Sequence, residues 1–241
     1  DDGAVAIELM RGLEGRHRVA TRQLIDRLVD TFRPEVVNVT NLLIAGFVPA
    51  LRQRLDVPVV ATLQGDDIFL DSLSPGDRTG ALGEMRRIAR SIDAFVVFSR
   101  DYGQRMAALL GIPRERLHQV PLGLASPESF SNPRGAKVRA ESSRPPSVGY
   151  LARICPEKGF HHLVDAFLRL RQRSETAHAR LHFGGWLGAR DQPFFDQQMA
   201  KIQAAGAEAA VEHVDLPDRD AKIRYLHQGD IVSVPTVYQE P

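Results

Sequence analysis

The chain predicts an α/β protein made of two parallel-sheet domains, and three observations predict it. Short apolar runs alternate with stretches of helical periodicity, the alternation occurs twice, and a Pro- and Ser-rich stretch of little periodicity separates the two sets. The first set has strands near 36–39, 59–63, 94–98 and 117–120. Helical patterns near 19–32, 42–55, 81–92 and 104–110 accompany them. The last of these patterns stops at Gly111, with Pro113 just beyond, a pairing that ends helices. The second set has strands near 148–151, 181–184, 211–214 and 231–234, with helices between them. The stretch 125–146, carrying Pro127, Pro133, Pro145 and Pro146, predicts a linker, so the domains are expected at 1–124 and 147–241.

Composition bounds the function. With 43% apolar and 25% charged residues, 241 residues are enough to build real cores. The net charge of +1, from 31 basic and 30 acidic residues, gives no global basic field and argues against a nucleic-acid partner. Arg86, Arg87 and Arg90 form a modest basic cluster, a solvated helix face that leaves open a peripheral contact with an anionic membrane. A single cysteine, Cys155, excludes an intramolecular disulfide and fits a reducing compartment. Its neighbourhood supplies no activating base, so packing is its expected role. No apolar run approaches the roughly 18 residues that span a bilayer. The expected location is therefore cytoplasmic, with the membrane's inner face as a peripheral alternative. The start, Asp1-Asp2-Gly3, has neither an initiator methionine nor a signal-peptide pattern, which leaves targeting unread and suggests the middle portion of a larger protein.

The most informative segment is 147–167. Val148, Gly149, Tyr150 and Leu151 read as a strand, and Leu163, Val164, Phe167 and Leu168 recur at helical spacing. The loop between them lies at the carboxyl end of a strand, where α/β sheets hold ligands. Arg153 and Lys158 stand on it five residues apart, just before the helix starts. Two cations beside helix N–H groups and the positive end of a helix dipole suit a diphosphate. A plain surface turn, ended by Pro156 and Gly159, is the bland alternative.

Ala152-Arg153-Ile154-Cys155-Pro156-Glu157-Lys158-Gly159 resembles the donor loop of the retaining glycosyltransferases of family 4, a GT-B group, with alanine where the family carries glycine. The segment 229–241, with Asp230, the apolar strand, Pro235 and then Glu240-Pro241, resembles the same family's strand that leads into a Glu-x7-Glu motif. Glu240 is its first member, and the second falls beyond the chain. Arg33–Val39, Val57–Asp66, Asp93–Ser99 and Val120–Gly123 resemble four further segments, so the likeness runs from about residue 20 to 241. Gln64 stands where many members have a histidine near the reacting sugar.

The resemblance implies a GT-B-like fold, two Rossmann-like parallel-sheet domains facing a cleft, both incomplete here. It implies a transferase moving a sugar from a nucleotide-sugar donor to a saccharide, lipid or small-molecule acceptor with retention, needing no metal or other cofactor. Arg153 and Lys158 would neutralise the departing diphosphate, and Glu240 would orient the donor sugar. Gly184 and Gly185, at a strand end, would lie against the donor, and Gln64, Gly65 and Asp66 would face the acceptor. As a piece lacking both ends, the chain alone is expected not to turn over.

Other residues carry less. Asp218-Arg219-Asp220 matches a metal-binding Asp-x-Asp formally, but its place before a helical pattern suits capping. Asp66-Asp67 fits a structural turn and a substrate contact equally. His161-His162 lack partners for a metal. Trp186 reads equally as a ligand contact and as cover for the core. The alternatives in function are a GT-B-type sugar-nucleotide epimerase and a binding module without turnover. A nicotinamide oxidoreductase is disfavoured because no Gly-x-Gly-x-x-Gly follows a strand.

Overall fold

A computed structural model describes residues 2–123 and 145–238, which form two compact units. Most of the expected linker, 125–144, and Glu240 lie outside the described residues.

In the first unit the apolar runs become β1 (Val37–Val39), β2 (Val59–Thr62), β3 (Ala94–Val97) and β4 (Leu117–Gln119). All are parallel and ordered β1-β2-β3-β4, with Val37 opposite Val59, Ala61 opposite Phe95 and Phe95 opposite Leu117. The helices are α1 (Asp2–Met10), α2 (Arg18–Asp26, widening over Arg27–Phe32), α3 (Val48–Leu51), α4 (Asp66–Asp71), α5 (Pro75–Ala89) and α6 (Arg100–Leu110). Two of them begin on textually visible caps: Ser74 accepts the Asp77 N–H, with Pro75 at the first position, and Ser99 accepts the Tyr102 N–H. Gly111 ends α6 at φ +71°, as its sequence predicts. Phe95, Leu63, Ile88, Met106 and Tyr102 are fully buried between sheet and helices. Each such apolar side chain contributes about 1.5–3 kcal/mol. Asp93, at the start of β3, accepts the Val59 N–H at 2.7 Å and so fixes where β2 begins.

The helix expected over 42–55 shrinks to a 3-10 turn, Ala45–Phe47, that runs into the short α3. Pro49 has no N–H to continue a helix from upstream, and Gly46 is buried where a Cβ would lie 2.2 Å from the Leu9 carbonyl. The expected helix at 81–92 instead starts six residues earlier, at its Ser-Pro cap.

In the second unit the strands are β5 (Ser147–Leu151), β6 (Arg180–Gly184), β7 (Val211–His213) and β8 (Ile231–Val232), and the helices are α7 (Phe160–Arg171), α8 (Gln192–Ala204) and α9 (Arg219–Gln228). The sheet is again parallel, ordered β7-β6-β5-β8. On one face Phe160 packs its ring 5.1 Å from Tyr150 and 5.0 Å from Phe183. On the other, the hydroxyl of Tyr225 from α9 accepts the Tyr150 N–H at 2.9 Å and bonds the His182 carbonyl at 2.8 Å. Asp230 accepts both the N–H and the hydroxyl of Ser147, each at 2.8 Å, which ties the start of β8 to that of β5. The chain thus runs outward from β5 through β6 to β7, then returns to β5's other side. The strand order reverses at β5, and such a reversal opens a crevice at the strands' carboxyl ends.

Candidate functional site

The loop after β5 is anchored by burial and held open by hydrogen bonds. Ile154 and Cys155 point inward, at 0% and 1% exposure. The Ile154 N–H donates to the Trp186 carbonyl (2.9 Å) beyond β6, and the Val237 N–H beyond β8 donates to the Glu157 carbonyl (3.0 Å). Gly159 turns the chain into α7 at φ +70°, so close to the segment after β8 that a Cβ would stand 1.8 Å from the Pro235 carbonyl. No side-chain-bearing residue fits there. The loop is therefore stitched to both neighbouring strands of β5, at the point of strand reversal.

Both cations ride on this frame. The Tyr150 hydroxyl donates to the Arg153 carbonyl at 2.6 Å, fixing that backbone while the Arg153 side chain stays exposed. Lys158 donates through Nζ to the Tyr238 hydroxyl at 2.7 Å, with the ammonium 5.0 Å from that ring's centre. The first turn of α7 follows at once, contributing N–H groups. The Glu157 carboxyl is held below its ordinary range, first by its own backbone N–H, then by the Cys155 side chain and the charges of Arg153 and Arg190. Burial pushes the Cys155 thiol up, which keeps it protonated and matches its packing role. Tyr238 and Arg190 were not singled out in the sequence. Tyr238 lay in the matched segment two residues before Glu240, but nothing local announces that it meets Lys158, eighty positions away.

Gly184 and Gly185 serve the protein's own packing. A Cβ on Gly184 would lie 2.5 Å from Leu216, and one on Gly185, at φ +142°, would lie 1.8 Å from the Ala152 carbonyl. The expectation that their bareness admits a ligand is narrowed accordingly: on the Cβ side, protein already fills the space.

In the first unit a second group gathers at the carboxyl ends of β1 and β2. Gly65 turns the chain at φ +103°, and its N–H donates to the Tyr102 hydroxyl at 2.7 Å. The Gln64 side-chain amide donates to the Thr40 carbonyl at 3.1 Å and stays exposed. Asp66, expected to face an acceptor, is 2% exposed. Its carboxylate accepts the N–H groups of Leu42 (2.8 Å) and Gln64 (3.4 Å). Its work is to join the two loops, which corrects the expectation and leaves Gln64 and Gly65 as the accessible candidates. Burial raises the Asp66 carboxyl against the pull of those two amides. Asp67 pairs with Arg105 at 3.2 Å, and that guanidinium lies 5.4 Å from the Tyr102 ring centre.

Asp218 caps α9, accepting the Ala221 N–H at 2.7 Å, as its position suggested. Among the described residues no group of three His, Cys, Asp or Glu side chains is placed to hold a metal ion, and no helix is long and apolar enough to cross a membrane. In the basic cluster, Arg86 bonds the Leu109 carbonyl and Arg87 bonds Glu84 and the Met10 carbonyl, so two of its three members are used within the unit.

The two parallel-sheet α/β units, the second reversing its strand order beside a glycine-turned cationic loop, share the GT-B fold of solved glycosyltransferases. Residues 2–123, half of the chain, match the glycosyl transferase 4-like domain, and the chain belongs to that family. Glycogen synthase of Mycobacterium tuberculosis is 24% identical over 215 residues, covering 87% of this chain and 48% of the relative. Anabaena HepE, solved in complex with UDP, superposes with a TM-score of 0.71 at 16% identity, over 94% of this chain and 59% of HepE. Sucrose-phosphate synthase from Thermosynechococcus elongatus gives 0.70 at 15% identity, over 94% and 58%. At such identities the solved structures show the fold alone. The chain spans about half the length of the curated relatives it matches.

Proposed function

We propose that the chain carries the donor site of a glycosyltransferase that moves a sugar from a nucleotide sugar to an acceptor hydroxyl, with retention at the anomeric carbon. The observation that carries this reading is the loop with Arg153 and Lys158, stitched to both neighbours of β5 at the strand reversal. Family membership supports it, as does HepE, whose fold is shared and which was solved with UDP. Retention rests on the family 4 resemblance alone.

In this scheme the diphosphate sits over the first turn of α7. Arg153 and Lys158 stabilise the negative charge that grows as the sugar's bond to the diphosphate breaks, and groups already fixed in place do this without reorganising. The positive charge comes from these side chains, and no cofactor enters the scheme. Glu240 orients the donor sugar, and Gln64 and Gly65 meet the acceptor, of saccharide, lipid or small-molecule kind.

A charge-assisted hydrogen bond contributes about 1.5–3 kcal/mol. Calorimetry with nucleoside diphosphates should therefore show Arg153→Ala and Lys158→Ala each weakening binding about tenfold or more. Unchanged affinity in both variants would remove the assignment.

A further inference from the structure

Trp186 directly follows β6 and Gly185, and it is 66% exposed. So large an aromatic surface gains most by being covered. The residue is nonetheless held in place. Its carbonyl accepts the Ile154 N–H of the cationic loop at 2.9 Å. Its benzo ring lies against Gly188, where a Cβ would approach to 2.8 Å, so the bare glycine lets the ring rest there. The indole makes no hydrogen bond or ring contact among the described residues. An open aromatic ring on a held backbone thus stands one strand away from the loop that carries Arg153 and Lys158.

We propose that Trp186 is the stacking platform for the nucleobase of the donor, an inference that rests on the donor site proposed above. The strand order supplies the direction. On the β8 side of β5, Pro235 closes against Gly159 and Tyr238 covers Lys158, so that flank of the loop is filled by protein. On the β6 side stands Trp186. A nucleoside leaving the diphosphate toward β6 heads for the strand that pairs with β5, about 5 Å away, whose end carries Trp186. Every base has a π-face, so a stacking platform adds affinity without choosing among bases. Trp186 therefore acts as a positioning residue, and base choice belongs to other groups.

Trp186 is the single tryptophan of the 241 residues, so its fluorescence reports on this place alone. Uridine, adenosine and guanosine diphosphates that bind should quench it saturably, while inorganic pyrophosphate should compete with them without quenching. By calorimetry, Trp186→Ala should weaken each of those diphosphates about tenfold and by a similar factor. Pyrophosphate affinity should be unchanged, and Trp186→Phe should keep most of the nucleotide affinity. An unchanged melting temperature would confirm that the exposed substitution leaves the fold intact. If Trp186→Ala leaves nucleotide affinity unchanged while Arg153→Ala weakens it, the platform is wrong and the donor site stands. If neither pyrophosphate nor any nucleotide binds, the donor site fails and the platform fails with it.

Discussion

At the scale of single residues, burial separates the side chains that build loops from those that meet solutes. Asp66 and Arg153 follow strands in the same way, yet one is enclosed and the other exposed. Their sequence contexts look alike because both stand just beyond a strand's carboxyl end, Asp66 at the first position of α4 and Arg153 on the loop before α7. What differs is the surroundings: the Asp66 carboxylate is enclosed where it accepts the Leu42 N–H, and the Arg153 side chain is not. Asp66→Asn offers the Leu42 and Gln64 N–H groups one acceptor oxygen in place of two and turns an amide donor toward one of them. An unsatisfied buried donor costs about 1–3 kcal/mol. Thermal or denaturant unfolding should show a loss of that order. A variant as stable as the parent would mean that the loops are joined by something else. Arg153 and Lys158 were legible because charge, glycine and helix start lie within eight residues. Tyr238 was not, because its contact with Lys158 exists only once β8 has joined β5.

At the scale of elements, the eight strands among the described residues lie at positions where apolar runs placed them. The helices were less legible. The segment 42–55 has helical periodicity, but it forms only the 3-10 turn Ala45–Phe47 and the short α3, with Pro49 and the close approach of Gly46 to α1 opposing a longer helix. That approach is a tertiary fact. The short α4 is built on Asp66 and Asp67, whose place in a turn concealed it. Helix α7 supplies an expectation of pH dependence. The His161 imidazole is held below its ordinary value of 6.5, first by burial and then by the charges of His162 and Lys201, with Asp165 opposing them. Its Nδ1 is buried without a partner. The folded state therefore takes up this proton less readily than the unfolded chain. Its stability is constant above about the ordinary histidine value and falls as pH drops through that value toward the folded one. His161→Gln should flatten that fall in melting temperature between neutral and mildly acidic pH. An identical profile in the variant would show that another group governs the acid limb.

At the scale of the whole molecule, strand alternation made two parallel sheets readable, but the two sheets differ in a way no local pattern records. The first runs in simple succession, and the second reverses at β5. Which edge β8 joins depends on contacts such as Asp230 with Ser147, separated by most of the second unit. In the donor site proposed above, that reversal gives the cationic loop two strand ends to be stitched to. The loop is proposed to bind a nucleoside diphosphate. Hydrogen exchange by mass spectrometry, with and without a nucleoside diphosphate, tests it directly. Exchange should slow over 153–163 and 235–238, with little change around α5. Protection confined to other segments while binding is measurable would contradict it.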